Sequence, residues 1–192
     1  VRQEPVRLAP SADDLDEGTD DRKGTLSPLG GPEPVFQGFP SRPAMYEHFV
    51  SETKRLLAQG FAPKEIAVFA HSRSLVSAAS DALAAAKIEA SPLEKDTDLS
   101  KVTGVNVGTM HRAKGLEFKA VFVLGVEDSV IPPASLVAKT KEPADLEALL
   151  VRERNLLYVA LTRARDEAFV LWSGTPSRFL APVLEAGKGN AA

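Results

Sequence analysis

Between two apolar runs, Val105–Thr109 and Ala120–Val126, the chain places His111, Arg112, Lys114, Gly115 and Glu117 in one short connection. A connection serving only to join strands is richer in Asn, Asp, Pro and Gly. This one carries cations suited to phosphate oxygens and a carboxylate that can accept a hydroxyl hydrogen bond. Gly115 would let a ligand or backbone come close. Arg163 stands further along, near the end of an apolar helical stripe, in Thr162-Arg163-Ala164-Arg165-Asp166. It reads either as a solvated arginine at the negative end of a helix dipole or as a guanidinium stabilising charge on a transferring phosphoryl group. Only arginine offers a rigid, permanently charged fork for the second role. Spacing alone leaves both readings open.

The other polar residues have plain alternatives. Glu117 could be a surface carboxylate paired with Lys114 or Lys119. His111 could be a structural histidine rather than a ligand. Glu153 interrupts the stripe running from Leu149 and Leu150 to Leu157, so it needs a buried partner, either an arginine or backbone amides. Tyr158 reads as a core residue with a tethered hydroxyl.

These groups must be held by the elements around them. Pro34–Phe39 reads as a short strand. Ser41 followed by Pro43 offers a helix cap, and Met45, Phe49, Leu56 and Leu57 keep helical spacing towards Gly60. Ile66–Ala70 is a run of the fully buried strand type. Leu75–Ala86 predicts a helix, Ile88–Ala90 a short strand, and Asp96–Thr103 a polar connection. The strand Val105–Thr109 leads into the charged connection, which the alternation places at the carboxyl ends of parallel strands, where α/β sheets bind ligands. Glu127–Pro143 reads as a long loop and residues 144–163 as a helix. Glu167–Trp172 is a further buried-type strand, Pro176–Val183 a short helix and Ala186–Ala192 a frayed end. Alternating strands and helices predict an α/β fold, a mostly parallel sheet with helices on both faces. The expected organisation is a flexible, acidic, Pro- and Gly-rich segment over 1–34, one domain over 35–183, and a disordered tail over 184–192.

Two stretches carry a family resemblance. Thr109-Met110-His111-Arg112-Ala113-Lys114-Gly115-Leu116-Glu117-Phe118 resembles the T-x-H-x-x-K-G-L-E-[FW] signature of UvrD/Rep-like superfamily 1 DNA helicases. Glu153-Arg154-Asn155-Leu156-Leu157-Tyr158-Val159-Ala160-Leu161-Thr162-Arg163-Ala164 is similar to that family's E-R-R-L-L-Y-V-A-[LM]-T-R-A motif, and the likeness spans about residues 35–180. It implies a RecA-like three-layer sandwich, the C-terminal of two motor domains. The resemblance places an arginine finger on Arg163 and a ribose contact on Glu117, with Gly115 beside it. It places contacts to single-stranded DNA on Thr109 and His111, with Arg112 and Lys114 adding positive charge. In that family an arginine after the Ile66–Ala70 strand reaches the γ-phosphate. Here His71 takes that place and Arg73 follows, so either could substitute.

The resemblance also implies ATP and Mg²⁺ as cofactors. The phosphate loop and metal ligands would come from the N-terminal RecA-like domain of the same full-length protein. The chain itself holds no G-x-x-x-x-G-K-[ST] loop and no metal cluster. The expected activity is ATP-driven translocation and 3′→5′ unwinding, with the isolated fragment inactive. Between residues 91 and 104 there is no room for the subdomain that the family inserts. A degenerate, non-catalytic RecA-like module binding DNA or a protein is the alternative.

Bulk properties set the outer limits. The 192 residues are 44% hydrophobic and 26% charged, which fits one domain with a real core. No cysteine is present, so disulfides and thiolate metal sites are excluded. No apolar run approaches the roughly 20 residues of a membrane span, and the expected setting is intracellular: cytoplasmic, nucleoid-associated if bacterial. The net charge of −3 departs from the basic balance of a free-standing nucleic-acid binder, so any DNA contact must be local or shared with other surfaces.

Overall fold

A computed structural model describes residues 33–95 and 97–189. The expected flexible segment at 1–34 lies outside the described residues except for its last two positions, and so do residues 190–192.

Six strands form one sheet in the order β1-β6-β5-β2-β4-β3, and every pairing is parallel. They are β1 (Val35–Phe39), β2 (Ile66–Ala70), β3 (Ala90–Pro92), β4 (Val105–Thr109), β5 (Phe118–Leu124) and β6 (Ala164–Ser173). Side chains alternate across the sheet because the strand period is two. Ile66, Val68, Ala120, Phe122, Leu124, Phe169 and Leu171 point to one face, packed with Met45, Phe49, Leu56, Ala79 and Leu83. Those helical residues belong to α1 (Arg42–Ala58) and α2 (Arg73–Ala85). Ala67, Phe69, Val121, Val123, Val170 and Trp172 point the other way, against Leu157 and Ala160. These two residues lie on α4 (Pro143–Leu161). The result is the expected three-layer arrangement. It is a parallel sheet buried on both faces, which is why its central strands read as continuous apolar runs rather than alternating ones.

Local chemistry explains most boundaries. Ser41 Oγ accepts from Ala44 N at 3.3 Å and caps α1, with Pro43 in the first turn. Ser72 Oγ accepts from Leu75 N at 3.3 Å, so α2 starts at Arg73, two residues before its first core leucine.

Several expectations need correction. The stretch Glu127–Pro143, expected to be a loop, contains a short helix, α3 (Ala134–Lys139). The short strand expected at Ile88–Ala90 forms two residues later, where Ala90–Pro92 can pair with Val105–Val107. The helix expected over Pro176–Val183 is a 3₁₀ turn at Arg178–Leu180 followed by α5 (Ala181–Gly189), which runs through the first residues of the expected disordered tail at 184–192. Among the described residues, no helix is long and apolar enough to cross a membrane.

Candidate functional site

Strand order decides where the charged connection goes. β4 and β5 are parallel but not neighbours, because β2 lies between them. The segment between Thr109 and Phe118 must therefore leave the carboxyl edge of the sheet, pass over β2, and re-enter at the amino edge. It is a crossover, not a turn at one mouth of the sheet. Met110 and Ala113 are buried in the same cluster as Ala67 and Phe69 of β2 and Leu157 and Ala160 of α4. They pin the crossover between sheet and helix. Gly115 has φ +79° with nothing close to the position of a Cβ, so it is required by the backbone turn and not by close approach of a neighbour.

The crossover therefore delivers two sites, one at each edge. At the carboxyl edge, half-buried Thr109 and exposed His111 are followed by Arg112, with Lys114 exposed further on. His111, Arg112, Lys114 and Leu116 line a groove of about 150 Å³ with Leu93, Glu94, Lys95, Thr97 and Leu99. Lys95, which no sequence motif singles out, is a further cation of this groove, brought here by the pairing of β3 beside β4. Neither Arg112 nor Lys114 forms an ion pair among the described residues.

At the amino edge, Arg163 follows the end of α4. Its Nε donates to Val159 O at 3.1 Å, one nitrogen to Leu116 O at 3.3 Å and the other to Thr162 Oγ1 at 3.2 Å. Phe118 N donates back to Arg163 O at 2.9 Å. The helix-end reading is thus part of the picture, since the guanidinium satisfies a last-turn carbonyl. The contact with Leu116 also seats it beside Glu117, which is exposed. All of its hydrogen-bond acceptors are neutral, and it forms no ion pair among the described residues. Lys119, a candidate partner for Glu117, is held by Glu65 at 2.8 Å, and Glu117 has no ion pair among the described residues.

His71 and Arg73 are not brought to this edge. They follow β2 at the carboxyl edge, where Arg73 is exposed on the first turn of α2. His71 Nε2 lies 2.8 Å from Glu153 Oε2, and its ring meets His111 edge-on at 6.3 Å between centroids. Glu153 thus has two partners, the half-buried His71 and, as expected, an arginine, Arg152, at 3.3 Å; the histidine is the one the sequence did not indicate. Tyr158 is also corrected. It is 66% exposed, because the helical stripe that buries Leu157 and Ala160 turns position 158 outward.

A separate polar cluster closes the far side of the carboxyl edge. Glu127, after β5, accepts from Arg42 Nη2 at 2.9 Å and from Ser173 Oγ at 2.6 Å. Burial pushes its carboxyl up, but the hydrogen bonds from Arg42 and Ser173 and the arginine charge outweigh that and hold it below the ordinary carboxylate range. Asp128 is held low by hydrogen bonds from Arg178 at 2.7 and 2.8 Å. With α3 these groups line a cleft of about 500 Å³. Glu127 ties α1 to the ends of β5 and β6. A depressed folded pKa gives stability that is present above the ordinary value near 4.3 and lost as pH falls through the folded one. Glu127→Gln is therefore expected to cost about 1–3 kcal/mol at neutral pH and to flatten the acid limb of stability, read from urea midpoints as a function of pH.

A guanidinium without an ion pair and an exposed carboxylate adjoin at one edge, groups able to donate to phosphate oxygens and to accept from a hydroxyl. Among the described residues, no three His, Asp or Glu side chains converge to hold a metal.

The profile of the UvrD-like helicase C-terminal domain matches residues 80–175, a stretch that includes the crossover and Arg163. YjcD of Bacillus subtilis strain 168 is 42% identical over 92 residues, covering 44% of this chain and 12% of that protein. The ATP-dependent DNA helicase PcrA of Staphylococcus epidermidis is 35% identical over 123 residues, covering 50% of this chain and 16% of that protein. The chain thus spans only a small part of the length of these relatives. Among solved structures, the C-terminal domain of a possible DNA helicase from Lactobacillus plantarum superposes with a TM-score of 0.61 at 24% identity, over 81% of this chain and 83% of that one. That likeness supports the fold, which is of the RecA-like helicase C-terminal type.

Proposed function

From the premise that this chain belongs to the UvrD-like helicase C-terminal domain family, we propose that it is the second motor domain of an ATP-dependent DNA translocase. It supplies Arg163 as arginine finger and Glu117 as the ribose-side carboxylate. The observation that carries this reading is the seating of Arg163 against Leu116, beside exposed Glu117, with no ion pair to Arg163 among the described residues.

The mechanism follows from the two edges. A triphosphate held by a neighbouring RecA-like domain would lie against the amino edge. Its γ-phosphoryl oxygens offer Arg163 charged acceptors in place of three neutral ones, and a charge-assisted bond is the stronger. Arg163 would then stabilise the charge that spreads over the phosphoryl group during transfer, while Glu117 accepts from a ribose hydroxyl. Mg²⁺, when bound, would neutralise the phosphates, with its ligands supplied by the neighbouring domain. Closure around the nucleotide and reopening after hydrolysis would change the grip on single-stranded DNA at the carboxyl edge. There Thr109 and His111 offer polar contacts to the backbone, and Arg112 and Lys114 offer charge without reading sequence. In this reading the motor runs 3′→5′ in the cytoplasm, and the fragment alone neither hydrolyses ATP nor binds DNA tightly.

The DNA half of the proposal has its own test. In the full-length protein, Arg112→Ala and Lys114→Ala are each expected to weaken binding of single-stranded oligonucleotides of any sequence. Each should also reduce the slope of log affinity against log salt by about 1. An unchanged slope in both variants counts against a phosphate-tracking groove.

A further inference from the structure

Glu153 is 3% exposed, in the middle of α4 and facing the sheet. A carboxylate taken out of water at a helix–sheet interface is tolerated only with a hydrogen-bonding partner of fixed position. The well-placed partner is His71, whose side chain is itself mostly covered, at 2.8 Å. Arg152, the other contact, is a solvent-facing neighbour on the same helix and ties α4 to nothing else.

The same imidazole meets the ring of His111, at the carboxyl-edge end of the crossover. One side chain therefore touches both the turn assigned to DNA and the helix that ends beside Arg163. The crossover also joins the two edges covalently, and Met110 and Ala113 seat it between β2 and Leu157 and Ala160 of α4. α4 rests on the same cluster through Leu157 and Ala160, so it answers a push at Glu153 as one body rather than by bending. From Glu153 to Leu161 it is a rigid rod of about 12 Å at 1.5 Å per residue. A small shift at Glu153 is carried to its far end.

We infer that His71 is a positioning residue that couples single-stranded DNA at the His111 turn to the placement of Arg163, acting through Glu153 and α4. The inference rests on the function proposed above. It assigns His71 no contact with nucleotide or DNA. In this scheme DNA on the His111 turn biases the imidazole, the imidazole biases Glu153, and α4 moves as a unit relative to the sheet. The coupled quantity is the acceleration of ATP hydrolysis by DNA, not hydrolysis itself.

The test uses the full-length protein that contains this chain. ATP turnover is measured without DNA and with a saturating thymidine oligonucleotide, and oligonucleotide affinity is measured separately. His71→Phe keeps an aromatic ring against His111 and removes the donor to Glu153. The double variant His71→Phe/Glu153→Leu removes the pair and leaves no buried carboxylate stranded, so it guards against simple unfolding. His71→Gln keeps a donor at about the reach of Nε2. Both Phe variants are expected to lose about tenfold or more of the DNA stimulation. Turnover without DNA and oligonucleotide affinity should stay within about twofold, and the Gln variant should retain stimulation. Full stimulation in the double variant overturns the inference. A Gln variant as impaired as the Phe variant does so too, as does an equal loss with and without DNA. Arg163→Ala separates this failure from failure of the functional reading. If it abolishes turnover while the double variant is stimulated normally, only the coupling is wrong; if it leaves turnover intact, the motor assignment itself falls.

Discussion

Replacing Arg163 by alanine in the intact protein is expected to lower DNA-stimulated ATP hydrolysis by about 10³-fold or more, with the fold retained. The size follows from what the guanidinium would do: it places a permanent charge and a planar fork against oxygens whose negative charge is redistributed during transfer. The fold should survive because the bonds lost go to neutral acceptors, Val159 O, Leu116 O and Thr162 Oγ1, at a partly exposed helix end. Circular dichroism of the variant should match the parent. Arg163→Lys sharpens the result, since it keeps the charge and loses the fork. A residue acting only as a helix cap would tolerate lysine, whereas a finger would lose most of its effect. Wild-type turnover in the alanine variant is incompatible with the assignment.

The second large effect concerns stability. Phe122 is fully buried in β5, stacked on Phe169 with ring centroids 4.4 Å apart and edge-on to Phe49 at 5.1 Å. Those rings join β5, β6 and α1, so the cluster clamps the centre of the sheet to one helical layer. Phe122→Ala removes the transfer energy of a large ring and leaves a cavity that three separate elements cannot collapse into. The expected cost is about 3–5 kcal/mol, a large share of the total stability of one domain. Urea denaturation of the 192-residue chain, parent against variant, measures it. A loss below about 1 kcal/mol would show that the layer repacks, and that the rings do not hold α1 on the sheet.

Particular residues show how far the sequence could be read. The two motifs named Arg163, Glu117, Thr109 and His111 as chemistry-bearing, and the unbroken apolar runs Ile66–Ala70 and Ala120–Leu124 named the buried parallel strands. Ser41 with Pro43 marked the start of α1. These are local signals, carried by residue type and spacing within a few positions, and local steric and capping rules act on nothing more. The helix at Ala134–Lys139 was missed for the same reason: it sits among prolines, and its short run carries no periodicity. Tyr158, expected inside with a tethered hydroxyl, follows buried Leu157, and one step along a helix turns a side chain by about 100° and carries this one into solvent.

What the sequence determined alone is the set of groups and the elements bearing them. What only the tertiary structure decided is their distribution between two edges. Because β4 and β5 run parallel with β2 between them, the stretch from Thr109 to Phe118 must traverse the sheet, so His111 and Glu117 lie at opposite edges though they are close in the chain. For the same reason His71 meets Glu153 and His111 rather than Arg163. Strand order is set by long-range burial on both faces of the sheet, a collective property of the packed layers that no local stretch of residues carries.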